Sequence, residues 1–301
     1  MQDFIDIFRC HCDILPPHPT GVQPRLDSLP DVRAVLFDLY GTLFVSGCGE
    51  VGTEDRASSL AAIDAALQEV GIRPARPLDG VVELMQCRIR DVHAEITRRH
   101  GIDYPEVQIA EIWSDVVAEL ARRGVLPAAV DPARIDYERL AVEYEARANP
   151  CWPMPQLGEC LAALQSRGLL LGIVSNAQFY TPLLFPALLG RSAEECGFDR
   201  DLQFYSCRHG FAKPGVPLFA LAARALANRD IAPKQVLYVG NDMLNDIVPA
   251  SRLGFRTALF AGDARSLRLR SDDPRIASTT PTLVVTDLAQ LVECTKIQGD
   301  R

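Results

Sequence analysis

Residues 34–44 read AVLFDLYGTLF: an unbroken apolar run, then an acid, a tyrosine, a glycine and a threonine. A short apolar run that stops at polar turn residues fits a strand buried on both faces, as in parallel sheets. Asp38 falls at the C-terminal end of that strand. Open α/β sheets bind their ligands at that edge, so an acid there is placed for chemistry.

The chain on either side fits the same reading. Residues 1–30 carry Pro16, Pro17, Pro19, Pro24 and Pro30 and read as an irregular extension, with Phe4, Ile5, Ile7 and Phe8 forming one docked helical turn. After the first strand, residues 47–150 offer only helical stripes. Leu60, Ile63, Ala66, Leu67 and Val70 form one, and Val81, Met85, Ile89, Val92 and Ile96 the next. Ile109, Ile112, Val116 and Leu120 form a third, and Ile135, Leu140 and Tyr144 a fourth. Steps of three and four mark one buried face per helix. Beyond ANPCWPMPQ the chain alternates helix and strand, with short apolar strands at LLLGIV (169–174), 202–205, VLYV (236–239), 255–260 and 283–285. The expected fold is therefore α/β: a doubly wound, Rossmann-like parallel sheet built from residues 31–46 and 151–301. A helical cap domain, residues 47–150, is inserted after its first strand.

Composition excludes several classes. The 301 residues are 48% hydrophobic and 23% charged, with a formal charge of −8, which argues against a broad nucleic-acid or anionic-membrane surface. No run reaches the roughly 18–20 apolar residues of a membrane helix, and the N-terminus lacks a cationic lead-in to a secretory signal. Nine irregularly spaced cysteines, without C-x-x-C pairs, suit reduced thiols in a cytoplasmic protein. Cys10-His11-Cys12 matches no zinc spacing. The oligomeric state stays open between monomer and homodimer.

Four polar groups fall at successive strand ends: Asp38, Ser175-Asn176, Lys213-Pro214 and Asn241-Asp242. One acid after a strand is a common accident, but this set in order is not. The runs DLYGTL, VSN, S-x-x-x-G-x-x-K-P (Ser206 to Pro214) and GNDMLND (Gly240 to Asp246) resemble the four motifs of the haloacid dehalogenase-like hydrolase superfamily, in order and spacing. The helical insertion resembles that family's cap. The resemblance covers roughly residues 31–294.

A carboxylate at a strand terminus can form an acyl intermediate with phosphorus or an activated carbon, and the resemblance makes Asp38 that nucleophile. Lys213 would offset its charge and that of a small anionic substrate, the plainer alternative being a surface salt bridge. Ser175, with N–H groups at Asn176 and Ala177, would hold anionic oxygens, helped by a helix starting there. Thr42 would orient Asp38 or serve only as a turn residue. Asp242 and Asp246, four apart, would repel Asp38 unless a cation sits among them. Mg²⁺ suits hard oxygen ligands, and the resemblance implies Asp38, the Tyr40 carbonyl oxygen and Asp242 as those ligands. Asp246 and Asn241 would then stand behind them. Asp246 reads otherwise as a helix-start acid.

Tyr40 breaks the phosphatase pattern, where a second aspartate is the general acid and base. A phenol with a pKa of about 10 is a poor base at neutral pH. The metal-independent 2-haloacid dehalogenase branch carries tyrosine there. Its motif four, however, is closer to Ser-Ser-Asn-x-x-Asp. Phe219 also stands where that branch tends to have tyrosine, and Arg56, Arg73 and Arg88 lack the context of its carboxylate-binding arginine. The leading expectation is therefore a Mg²⁺-dependent phosphatase of a small phosphorylated compound. The alternatives are a dehalogenase-like hydrolase or a low-turnover ligand-binding protein. Arg88, Arg90 and His93 stand where the second cap helix can reach the cleft, although a solvated face explains them more simply.

Overall fold

A computed structural model describes residues 1–48 and 56–296, with no side-chain description for residues 56 and 57. Helix α1 (Gln2–His11) precedes strands β1 (Ala34–Phe37) and β2 (Phe44–Ser46). Then come helices α2 (Arg56–Glu69), α3 (Val81–His100), α4 (Ile109–Arg122) and α5 (Tyr137–Ala148). The chain returns through β3 (Cys151–Pro153), α6 (Leu157–Ser166), β4 (Leu170–Ser175), α7 (Leu184–Leu188), β5 (Phe198–Tyr205), α8 (Ser206–His209) and α9 (Val216–Ala227). It ends with β6 (Val236–Gly240), α10 (Val248–Arg252), β7 (Arg256–Phe260), β8 (Leu283–Val285) and α11 (Ala289–Cys294).

Among the described residues, six strands form one parallel sheet in the order β5-β4-β1-β6-β7-β8. Central β1 pairs with β4 on one side and β6 on the other. Its alternate residues enter different cores: Val35 and Phe37 on one face, Ala34 and Leu36 on the other. Two buried faces explain why the strand reads as continuous apolar sequence rather than an alternation. Burying Val35, Leu36 and Phe37 contributes about 1.5–3 kcal/mol each. Connections leave β1 toward β4 and leave β6 toward β7, so the winding reverses between β1 and β6. A crevice opens there, and Asp38 and Asn241-Asp242 follow the two strands that border it.

Helices α2–α5 lie between β2 and β3, which pair antiparallel with Ser46 opposite Cys151. Sequence reasoning did not foresee this ribbon, because three-residue strands carry no usable period. Asn149 ties it together: its Oδ1 accepts from Ser46 Oγ at 2.7 Å and from the Cys48 N–H at 3.3 Å.

The N-terminal extension is more ordered than its prolines suggested. The expected single turn is a full helix whose Phe8 is buried and lies 6.0 Å from the Tyr180 ring. Arg9 donates to the carbonyls of Pro186 and Ala187 at 2.9 and 3.2 Å. Further on, Arg25 bridges antiparallel to Val284 and covers the β8 edge, which would otherwise offer unpaired backbone groups. Among the described residues no helix is long and apolar enough to cross a membrane.

Candidate active site

The first elbow is fixed by glycine. Gly41 has φ 75°, and a Cβ there would run into Ser266 and the Asn241 amide. Only glycine takes this turn at this distance. It leaves Asp38 at the end of β1, 7% exposed, with its N–H donating to Val239 O at 2.9 Å.

Lys213 is the hub of the site. Its buried ammonium lies 2.8 Å from Asp38 Oδ1 and 2.6 Å from Asp246 Oδ1. The Tyr238 hydroxyl closes the group, 3.3 Å from Lys213 Nζ and 3.0 Å from Asp246 Oδ1. The lysine's backbone is clamped by Asn176, whose Oδ1 accepts from the Lys213 N–H at 2.7 Å while its Nδ2 donates to Lys213 O at 3.1 Å. Gly240 completes the packing, since a Cβ there would overlap the Asp246 carboxylate.

One ammonium between two buried carboxylates leaves a net negative cluster. Burial pulls Lys213 down, but Asp246 and Asp38 more than reverse this, so its pKa is raised and it stays charged. Asp246 is pushed up to about 7 by burial and by Asp38 and Asp242, against the opposing pull of Lys213. The lysine neutralises only one of the two acids, and the other competes for a proton.

Several expected roles are redrawn. Thr42 does not orient Asp38: its hydroxyl donates to Asn241 Oδ1 at 3.0 Å, and Asn241 Nδ2 donates to Ser266 O at 2.6 Å. Both side chains therefore tie the β1 elbow to the β6 loop. Ser175 is fully buried, and its hydroxyl donates to Asn176 O at 3.3 Å. The Ala177 N–H is spent on Ser206 Oγ at 2.8 Å, and no helix begins there, since residues 176–180 are irregular. Arg88 pairs with Asp115 at 2.7 Å. The Arg56 side chain lies outside the described residues.

Asp242 departs furthest from expectation. Its Oδ1 accepts from the N–H groups of Leu244 and Asn245 at 2.8 and 3.2 Å, capping the π-type turn Met243–Ile247. Its Oδ2 accepts from Asn245 Nδ2 at 3.0 Å and from Arg270 Nη2 at 2.6 Å. Arg270 adopts φ 53°, a backbone region unfavourable to non-glycine residues, while making this contact. Both Asp242 oxygens are thus engaged with nitrogen donors, and the cation beside them is a guanidinium. Among the described residues no three acids or imidazoles converge to hold a metal. This donor set does not fit Mg²⁺, which needs open hard-oxygen ligands.

Tyr40 lines the cleft beside this site. Its hydroxyl shares a 3.0 Å hydrogen bond with Thr181 Oγ1. Burial, reinforced by the charge of Glu145, holds its phenol well above the ordinary value. It is a hydrogen-bonding group and not a base at neutral pH.

A cleft of about 680 Å³ opens between the insertion and the sheet edge, bordered by Tyr40, Asn176 and Lys213. Sequence reasoning missed what closes it. The segment at Tyr104–Glu106 docks on the lysine loop, with the Ala212 N–H donating to Tyr104 O at 2.8 Å. Glu106 accepts from Ser206 Oγ at 2.6 Å and from Gln178 Nε2 at 3.2 Å, and burial raises its carboxyl pKa. Glu145 accepts from the Tyr180 hydroxyl at 3.0 Å. An acid inside the apolar face of α5 was the available signal for Glu145. None marked Tyr104.

Comparison with known proteins bears on the family and the fold. The family model described as haloacid dehalogenase-like hydrolase matches residues 32–254. Among solved structures, a 2-haloacid dehalogenase from Pseudomonas syringae pv. Tomato DC3000 shares 18% identity, covering 87% of this chain and 97% of its own, with a TM-score of 0.54. L-2-haloacid dehalogenase from Xanthobacter autotrophicus shares 21% identity over 87% and 97% of the two chains, with a TM-score of 0.48. A predicted phosphoglycolate phosphatase from Haemophilus somnus 129pt shares 17% over 88% and 99%, also at 0.48. At these identities the likeness concerns the fold. No curated protein matches the chain.

Proposed function

The chain belongs to the haloacid dehalogenase-like hydrolase family, and within it we propose a metal-independent hydrolase that opens the carbon–halogen bond of a 2-haloacid through an ester on Asp38. The observation that carries this reading is Tyr40, a half-buried phenol on Thr181 where proton transfer to a leaving group would otherwise be organised. A halide leaves without a proton, so its reaction does not call for an acid there. The arginine on Asp242 adds support, because its guanidinium already pairs with that carboxylate.

In the first step an Asp38 oxygen attacks C2, the C2–halogen bond breaks, and the halide departs with its electron pair. Lys213, 2.8 Å away, holds and orients the attacking carboxylate. In the second step water adds to the ester carbonyl, and the bond from the Asp38 acyl carbon to the substrate oxygen breaks. A 2-hydroxy acid leaves, Asp38 regains its carboxylate, and Asp246, raised toward neutrality, takes the water's proton. The helical insertion acts as a cap over this chemistry.

The second reading is the Mg²⁺-dependent phosphatase, favoured by the acid pair Asp242 and Asp246 after β6, and it requires Arg270 to leave Asp242. Halide release from 2-bromobutanoate in EDTA, with Asp38→Asn as control, separates the two. Release that survives chelation and disappears in Asp38→Asn supports the ester route. Phosphate release from acyl phosphates only when Mg²⁺ is added supports the phosphatase.

A further inference from the structure

The cleft is far larger than the proposed reaction demands. At about 680 Å³ it lies within the roughly 300–1,000 Å³ that accommodates drug-sized ligands, whereas a haloacetate would fill a small corner of it. Lys213, which holds Asp38, reaches its lining, and Tyr40, Tyr104, Pro105, Tyr180 and Ala94 make much of the rest aromatic and apolar, with Arg98 and Asp103 also on it. Glu106 and Glu145 add acid to that lining, and both are already bonded to Ser206 and Tyr180. His93 also lines the cleft, and burial lowers its imidazole pKa. The rings and methyl groups of this lining favour an apolar body in the cleft.

Resting on the hydrolase reading above, we infer that the substrate is an acid with a long apolar substituent at C2, seated against α3 and Tyr104, and not a two- or three-carbon acid. Ala94 is the position that tests this. It lies on the α3 face of the cleft and is exposed, so a larger side chain there fills the cleft without entering a core.

The experiment measures halide release across bromoacetate, 2-bromobutanoate, 2-bromohexanoate and 2-bromooctanoate, in the parent chain and in Ala94→Phe. In parallel, binding of the unreactive 2-hydroxybutanoate and 2-hydroxyoctanoate is measured by calorimetry. Burying each added methylene is expected to raise kcat/KM and hydroxy-acid affinity about threefold to fourfold, until the cleft is full. Ala94→Phe should lower the octanoate-to-butanoate ratio at least tenfold. A profile that is flat or falls with chain length, or a ratio unmoved by Ala94→Phe, overturns the inference. If no acid releases halide, the hydrolase reading fails separately. Hydroxy-acid affinity then decides the cleft: growth with length upholds the apolar-body inference, and equal affinities refute it.

Discussion

Replacing Asp242 with asparagine distinguishes a structural acid from a metal ligand. Its carboxylate caps the turn at Leu244 and Asn245 and pairs with Arg270, whose side chain is 28% exposed. Asparagine caps a helical turn about as well as aspartate, so Asp242→Asn should keep that contribution. What it loses is the charge on a partly hydrated pair, worth up to about 1 kcal/mol after solvent screening. Asp242→Ala loses the cap as well, a further 0.5–2 kcal/mol or so, typically about 1. Urea denaturation of the three proteins should therefore show losses of about 1 kcal/mol for asparagine and about 2 for alanine. Halide release should fall less than tenfold in Asp242→Asn, because no step passes through this residue. Loss of all turnover in a folded Asp242→Asn protein, or Mg²⁺ affinity in the parent that this variant abolishes, would refute the reasoning.

Three further outcomes follow from the same geometry. Lys213→Met removes the only cation that contacts Asp38 among the described residues and should lower kcat/KM by about 10²–10³ or more, as measured by halide release in a folded protein. Tyr40→Phe deletes one hydrogen bond to Thr181, so it should cost about 1 kcal/mol in denaturation and leave burst-phase ester formation intact. Asp246 accepts a proton only when ionised, so turnover should rise with pH through about 7, and Asp246→Asn should flatten that limb. Its folded pKa lies above its unfolded 3.8, so its contribution to stability is present at low pH and is lost as pH rises through about 7. Denaturation at pH 5 and pH 8 should show that difference shrink in Asp246→Asn.

The sheet and the Asp38–Lys213–Asp246 cluster were legible in the sequence because each residue is positioned by a local element. Asp38 follows a strand whose apolar run is unmistakable, and Asp246 lies in the turn that follows Gly240 at the end of β6. The insertion helices were also visible from their steps of three and four, although Ile135 stands ahead of α5 and only Val81 and Met85 of the α3 stripe are buried. What escaped depends on partners distant in sequence. Thr42 meets Asn241 across 199 positions, and Arg270 reaches Asp242 from 28 residues on, out of a loop without periodicity. The acid that read as a magnesium ligand is therefore bound by an arginine that no pattern announces. Strands β2 and β3 were lost for another reason, being too short to show alternation. Helix α1 was underestimated because Asp3, Asp6 and Arg9 on its polar face hide the regularity of Phe4, Ile5 and Phe8.

The most direct test is turnover of 2-bromobutanoate in H₂¹⁸O with EDTA present, followed by mass spectrometry of the peptide containing Asp38. Hydrolysis through an ester on this residue places ¹⁸O in the Asp38 carboxylate over repeated turnovers, and a single turnover gives an unlabelled hydroxy acid. Label confined to the product from the first turnover would mean that water attacks the substrate directly. Reaction abolished by EDTA would mean that a metal is required. Either result would contradict the account.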